Sequence, residues 1–197
     1  MTRGRVPQDC AERGLSPQSS AAYGRRVKVR VQIADVLAHG AELADWQAGC
    51  IVISDGCLSY IERRRFGYRP SRLRVWWDTR YRPQTIGVCR IYFSRHRSNP
   101  NFLVLGYVMS GRLAGFSSLY VGQLVLDEIA RLQGCRAIVA ELTNARLSDR
   151  LLHRWGWERH CLNWRGRHFI KRFYQGYSVL PPIWLNRIAK NTDRSTH

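Results

Sequence analysis

The chain has 197 residues, 45% of them apolar and 23% charged, which suits one folded domain with tails and excludes a wholly disordered chain. Its 32 basic and 14 acidic residues give a net charge of +18, so we expect an affinity for polyanions: nucleic acid, anionic lipid or a phosphorylated cofactor. No apolar run approaches the roughly 18 residues that a membrane span needs, which excludes a bilayer-spanning protein.

The 6 cysteines form no C-x-x-C pair, and the N-terminal stretch has no apolar segment typical of a signal peptide. Reduced thiols in a cytoplasmic protein are therefore expected. A zinc site could draw on Cys161, His160 and His153, but metal-ligand spacing is absent elsewhere. The favoured interpretation is that the cysteines pack as small apolar side chains and that no metal is bound.

Composition divides the chain into three parts. Residues 1–24 carry Pro, Gly, Ser, Gln and Arg without a period, which is typical of a flexible tail. Residues 25–176 contain the periodic segments and form the predicted domain. Residues 177–197 contain prolines and many polar residues, and they predict a peripheral C-terminal segment.

The domain begins with a predicted strand at 27–36, where apolar and polar side chains alternate. Residues 37–65 predict two short helices, interrupted by Ser54-Asp55-Gly56. In the second of these, Leu58 and Ile61 have helix-like spacing.

Three strands are predicted next, at 72–78, 86–94 and 102–109. The last is almost continuously apolar, which is typical of a strand in the middle of a sheet covered on both faces. Residues 117–133 predict the longest helix, with a serine at its start and a glycine after its end.

Residues 136–142 predict another buried strand and 147–155 an amphipathic helix, followed by strands at 157–162 and 168–174. The element order is thus β-α-α-β-β-β-α-β-α-β-β. Because one helix crosses between two buried strands, those two strands should be parallel.

The junction between the strand at 102–109 and the helix at 117–133 carries the clearest functional signal. Backbone N–H groups at a helix start, together with the helix dipole, form an anion site. Gly115 admits a phosphate close to the backbone, and Arg112 adds a charge-assisted contact. A turn that only reverses the chain is the alternative. The predicted ligand contacts are Val108, Met109, Arg112, Leu113, Ala114, Gly115, Phe116 and Ser117.

Over residues 26–175 the chain resembles the GNAT superfamily, which transfers acyl groups from acyl-coenzyme A. Arg112-x-x-Gly115-x-Ser117 stands at the place of that family's pyrophosphate loop, Gln/Arg-x-x-Gly-x-Gly/Ala. Asn144 ends the following strand, as an Asn does in the family, and Trp155-Gly156-Trp157 stands where the family's helix ends in Gly-Phe.

The resemblance implies an α/β (α+β) protein with a GNAT-like, mixed and mostly antiparallel sheet of about six or seven strands and helices on both faces. It also implies binding of acetyl-coenzyme A or another acyl-coenzyme A, with Asn144 holding the pantetheine or a water. A helix N-cap is the other interpretation of Asn144.

The implied chemistry is direct attack of an amine on the thioester, which needs a general base. Glu141 is a candidate because desolvation in its apolar strand should raise its pKa; an ion pair with an arginine is the alternative. Tyr107 could bond the substrate or simply pack in the core. The family often has a Tyr as general acid toward the departing thiolate, and Leu152 stands at its position here. The neighbouring His153 could act as the general acid instead, or be a surface residue.

Two further functions stay open. Arginines interleaved with tryptophans could bind nucleic acid, or form a solvated helix end and an outward strand face. The chain could also be a non-catalytic fold of this kind that binds coenzyme A or a protein partner. The arginines proposed for nucleic acid are Arg63, Arg64, Arg65, Arg72 and Arg74.

Overall fold

The computed structural model describes residues 31–65, 87–111, 113–142 and 147–188. Over these ranges the strands are β1 Gln32–Ile33, β2 Ala48–Ser54, β3 Cys57–Arg63, β4 Val88–Arg95, β5 Phe102–Ser110, β6 Ala137–Glu141, β7 Glu158–Arg159 and β8 His168–Arg172. The helices are α1 Gly40–Ala44, α2 Phe116–Leu132, α3 Asp149–Arg154 and α4 Pro182–Ile188.

The eight strands form one sheet in the order β1-β3-β2-β4-β5-β6-β8-β7. Only β5 and β6 pair in parallel among these strands, and α2 is the crossover between them. The predicted α/β class, the mostly antiparallel mixed sheet and the parallel pair are confirmed. The predicted strand number and element order are wrong in detail, since over the described residues the order is β-α-β-β-β-β-α-β-α-β-β-α.

The largest error is in the region predicted as two helices, where only α1 is helical. Residues 48–63 form the hairpin β2–β3. Its turn residues Asp55 and Gly56 have φ values of 51° and 74°, the left-handed backbone that tight hairpin turns favour. A register shift after Val52 places Leu58 and Ile61 on the same face, so two residues three apart in a strand imitate helical spacing.

Helix α2 is the centre of the hydrophobic core. It packs across β2, β3, β4 and β6, and Gly122 allows the close approach: a Cβ atom there would lie 2.3 Å from Cδ1 of Ile91 and 2.7 Å from Cδ1 of Ile53. Helix α1 packs on α2 through Gly40 and Leu132, and α4 packs on it too.

Helices were expected on both faces of the sheet. In the described part of the chain α1 and α4 pack on α2, and Leu152 of α3 lines the same cavity as Leu119 of α2, so the four helices lie on one face. The C-terminal segment contributes to this layer: Ile188 is completely buried, and the rings of Trp184 and Tyr120 meet edge to face at 5.1 Å.

The other predicted elements differ mainly at their ends. Strands β4, β5, β6 and β8 and helices α2 and α3 are found where they were predicted. The strand predicted at 157–162 shrinks to β7, because Cys161 has a φ of 50° and leaves the extended conformation. The strand predicted at 72–78 and the tail at 1–24 lie outside the described residues.

Strand β5 occupies the middle of the sheet as predicted, but it is not covered on both faces. Only Leu103 is buried along its length, and most of its other side chains are half-buried. None of the helices described is long and apolar enough to cross a membrane.

Candidate functional site

The pairing of the two parallel strands in the middle of the sheet ends partway along β5, and we call the region beyond the last described pair the gap. Strands β5 and β6 pair from Phe102 with Ala137 to Leu105 with Ala140, and there the ladder ends. Strand β5 continues to Ser110, but its edge toward β6 has no strand partner among the described residues beyond that point. Ligands often bind at the carboxyl ends of parallel strands, where such openings occur.

A β-bulge lies at the level where the two strands part. Tyr92 of β4 pairs with Tyr107 and the next residue, Phe93, pairs with Leu105, so Gly106 is left without a partner. A bulge bends its strand and increases the local twist. The bulge residue Gly106 directly follows Leu105, the last residue of β5 that pairs with β6.

The start of α2 lies at the carboxyl end of β5, beside this gap. Gly111 N–H donates to the carbonyl of Val88 at 2.9 Å, and Ala114 N–H donates to that of Gly111 at 3.2 Å, which folds the loop tightly. Gly115 is the helix N-cap with an extended backbone (φ −73°, ψ 172°), and no side chain caps the helix.

The first amide groups of α2 lie before the regular hydrogen bonds of the helix. Within the described ranges, the N–H groups of Gly115, Phe116 and Ser117 have no acceptor. All three residues are exposed, and the ring of Phe116 is 61% exposed rather than packed into the gap. Because α2 has 17 residues, its dipole adds partial positive charge at this end.

Arg187 adds a full positive charge next to the helix start. A Cβ atom placed on Gly56 would lie 3.2 Å from Ser117 Oγ and 3.4 Å from Arg187 Nη1, so the β2–β3 turn, α2 and α4 meet here. The guanidinium lies 4.8 Å from the ring centroid of Trp184. No carboxylate of the described residues forms an ion pair with it.

Sequence reasoning missed Arg187, because it treated the C-terminal segment as peripheral. The signal that could have found it is local: Trp184 and Arg187 are three residues apart, so they share one face of any helix formed there.

An apolar cavity lies behind the gap, between the sheet and helices α2 and α3. Its walls are eight aliphatic side chains, two tryptophans and Gln123. Leu105 and Val108 come from β5 on either side of the bulge, and Leu119 and Leu152 come from α2 and α3. Leu152 is buried and forms part of the cavity wall.

Buried polar contacts hold the helices around this cavity. Gln123 Nε2 donates to the carbonyl of Trp155 at 3.1 Å, and its Oε1 accepts from Trp157 Nε1 at 3.1 Å. One helical turn further along α2, Asp127 Oδ2 accepts from Lys171 Nζ of β8 at 2.6 Å. Burial raises the pKa of Asp127 to about 6, against the opposing effect of Lys171.

Two predicted catalytic residues border the gap on the face opposite the cavity. Val108 faces the cavity, so Tyr107 beside it points the other way, and burial raises the pKa of its hydroxyl. Likewise Leu142 lines the cavity and Glu141 points away from it. Glu141 is exposed and forms no ion pair with a described basic residue, so the buried setting predicted for it is wrong.

His153, the third predicted catalytic residue, is exposed on α3. It is not one of the residues that line the cavity, whereas Leu152 before it faces inward. The structure therefore brings Tyr107 and Glu141 to the gap and leaves His153 on the outer surface of α3.

The predicted ligand contacts separate into three groups. Val108 lines the cavity, while Met109 pairs with Arg90 on the opposite face of the sheet. Leu113 is 84% exposed and has a φ of 67°, a left-handed backbone that is unusual for leucine. Arg112 and Asn144 lie outside the described residues.

The arginines proposed to bind nucleic acid also differ in exposure and in whether the structure describes them. Arg63 and Arg65 are exposed at the end of β3, while Arg64 forms an ion pair with Glu62 at 2.6 Å. Arg72 and Arg74 lie outside the described residues.

The cysteines of the described part are free thiols: Cys50, Cys57, Cys89, Cys135 and Cys161. Burial raises the pKa of the Cys50 thiol to about 11 and that of Cys89 to about 12, so both are protonated at neutral pH. No group of three or more His, Cys, Asp or Glu side chains that could hold a metal occurs in the ranges described, and Cys161, His160 and His153 form none.

Over the described residues this is an α+β fold in which the pairing of two central parallel strands ends beside the first amides of a long helix, with an apolar cavity behind. No protein-family model matches the chain, and no curated protein matches it.

Proposed function

We propose that the protein is an acyltransferase that transfers an acyl group from acyl-coenzyme A to an amine. The observation that carries this proposal is the gap between β5 and β6, beside which lie the first amides of α2, with no acceptor among the described residues, and behind which lies an apolar cavity. The resemblance of the loop 112–117 to the GNAT pyrophosphate loop supports the same assignment.

The diphosphate of coenzyme A would bind at the start of α2. The N–H groups of Gly115, Phe116 and Ser117 are donors without a described acceptor, and the helix dipole favours an anion there. Arg187 supplies a charge-assisted contact beside Ser117. Gly115 leaves the backbone open, because a Cβ atom there would meet only Ser117 Oγ, at 3.6 Å.

The pantetheine arm would lie in the gap along β5. Its amide groups can hydrogen-bond the free edge of the strand between Gly106 and Ser110, as an extended ligand does when it adds to a sheet edge. This direction leads from the start of α2 toward the bulge, where the cavity opens between Leu105 and Val108.

The transfer needs an attacking amine without its extra proton. The amine nitrogen attacks the thioester carbonyl carbon, a C–N bond forms and the C–S bond breaks, and the departing thiolate takes up a proton. Glu141, exposed at the end of β6, would accept the proton of the amine through water. Tyr107, whose hydroxyl pKa is raised by burial, would donate a proton to the sulfur.

Titration calorimetry with acetyl-coenzyme A tests the binding step. The unaltered protein should bind, Gly115→Asp should abolish binding because its carboxylate repels the diphosphate, and Arg187→Ala should weaken it about tenfold. Arg136→Ala is the matched control, since it removes an exposed arginine at the other end of the β5–β6 pair. Absence of binding by the unaltered protein at every acyl length would overturn the proposal.

Release of free thiol from acetyl-coenzyme A in the presence of a panel of amines tests the transfer step. We expect thiol release with an amine and little without one. Glu141→Gln should lower the rate about a hundredfold while leaving coenzyme binding unchanged. Binding without amine-dependent thiol release would support a non-catalytic coenzyme-binding protein instead.

A further inference from the structure

We propose that the cavity between β5, α2 and α3 receives the acyl chain of the donor and selects a short aliphatic acyl group of about three to four carbons over acetyl. This inference rests on the proposed function and specifies the class of acyl donor.

The walls of the cavity favour hydrocarbon. Leu105, Val108, Leu119, Leu126 and Leu152 all present methyl groups to it. The one side-chain amide, Gln123, is already bonded to Trp155 and Trp157 at both of its polar ends. Water in such a space would find few partners, and apolar cavities of this kind stay dry and take apolar ligands.

The size of the cavity sets the length of the chain. The cavity volume is about 40 Å³. One water occupies roughly 10–15 Å³, which by comparison leaves room for about three to four water-sized groups. An acetyl group would leave most of this space empty, and an acyl chain of eight carbons would exceed it.

The position of the cavity connects it with the proposed diphosphate site. Leu119 lies three residues after Phe116, and Leu126 lies two turns further along α2, so the cavity follows the helix away from its first N–H groups. Leu105 and Val108 flank the bulge at which the strands part. A thioester at the bulge would therefore point its acyl chain into the cavity.

Calorimetric titration of the full chain with coenzyme A and with its acetyl, butyryl and octanoyl thioesters tests the inference. Each buried methylene should tighten binding about fourfold, so butyryl-coenzyme A should bind about fifteenfold more tightly than acetyl-coenzyme A. Octanoyl-coenzyme A should bind no more tightly than the butyryl form. Equal affinity for all four ligands would overturn the acyl pocket and leave the coenzyme site standing, whereas no binding by any of them would overturn both.

Variants of the cavity wall distinguish an effect of cavity size on acyl binding from a general loss of folding. Leu152→Phe fills the cavity, so the affinity for butyryl-coenzyme A should fall close to that for acetyl-coenzyme A. The affinity for acetyl-coenzyme A should stay unchanged. Leu151→Phe is the matched control, because Leu151 is half-buried on the same helix and does not line the cavity. Leu152→Ala enlarges the space and should make octanoyl-coenzyme A the tightest ligand, which provides a test if Leu152→Phe loses its cooperative thermal transition. An unchanged order of acyl preference in a folded Leu152 variant would contradict the inference.

Discussion

Lys171 Nζ lies 2.6 Å from Asp127 Oδ2, and both side chains are more than nine-tenths buried between β8 and α2. The pKa of Asp127 is nevertheless raised, to about 6, because the loss of hydration outweighs the attraction of the lysine. This ion pair therefore positions α2 against β8 more than it stabilises the fold.

The raised pKa predicts how stability depends on pH. Between about pH 4 and pH 6 the unfolded chain loses the Asp127 proton while the folded chain keeps it, so this group makes the protein less stable as the pH rises. The difference between 3.8 and about 6 corresponds to on the order of 3 kcal/mol. Urea unfolding at pH 4 and pH 7 measures it, with the double variant Asp127→Asn/Lys171→Met as the reference that lacks the effect.

Removing only one partner of the pair should be far more harmful than removing both. Lys171→Met leaves the buried Asp127 carboxylate uncompensated and should lower the free energy of unfolding at pH 7 by about 3–5 kcal/mol. Adding Asp127→Asn should restore most of that loss. A Lys171→Met variant as stable as the unaltered protein at pH 7 would show that the carboxylate escapes to water.

Asp149 should show the opposite pH dependence. Hydrogen bonds from Arg167 and from Arg159 Nε, the latter at 2.7 Å, hold the pKa of this exposed carboxyl below its usual range. Its contribution is present above the unfolded pKa and is lost as the pH falls through the lower folded value. The stability difference between the unaltered protein and Asp149→Asn should therefore shrink from pH 7 to pH 3. A difference that grows on acidification would contradict this assignment.

Gly49 should not tolerate a side chain. A Cβ atom there would lie 2.5 Å from Cζ of the buried Phe93 ring and 3.2 Å from the carbonyl oxygen of Glu62. The ring and the backbone cannot both move aside, so Gly49→Ala should lower the free energy of unfolding by about 1–3 kcal/mol. Gly106→Ala is the control, since its Cβ would meet only the Tyr92 carbonyl oxygen, at 3.6 Å. Equal urea midpoints for the two variants would refute the argument.

Helix α3 should depend on its N-cap because it has only 6 residues. Ser148 Oγ accepts from Leu151 N–H at 3.2 Å. Ser148→Ala should cost about 1 kcal/mol and Ser148→Gly a few tenths, as measured by chemical unfolding. The loss should be accompanied by weaker binding of butyryl-coenzyme A, since α3 carries the cavity wall Leu152.

The sequence predicted the centre of the molecule well. The apolar run at 102–109 and the helix at 117–133 are strong local patterns, and a crossover helix between two buried strands leaves little choice of direction. The loop at 112–117 was therefore placed correctly at the junction of β5 and α2, although its contact with coenzyme A stays a prediction.

Features that depend on tertiary contacts could not be read in the same way. The spacing of Leu58 and Ile61 imitated a helix because a bulge shifts the β2–β3 register. The Asp55-Gly56 turn between two apolar segments indicates a hairpin and was the better guide here. Glu141 looked buried because its strand neighbours are apolar, yet it lies at the exposed end of β6. The cavity is formed by residues from distant segments, and no local pattern reveals it.

The position of Arg187 near the start of α2 has a mechanical consequence. A guanidinium next to the positive end of a helix dipole is repelled when no anion lies between them. An anionic ligand would convert that repulsion into an attraction on both sides and tighten α4 against the rest of the molecule. Ligand binding at the start of α2 and packing of α4 on the domain are therefore thermodynamically coupled. An anionic ligand should slow backbone hydrogen–deuterium exchange in α4, and a variant that loosens α4 should weaken binding of the ligand.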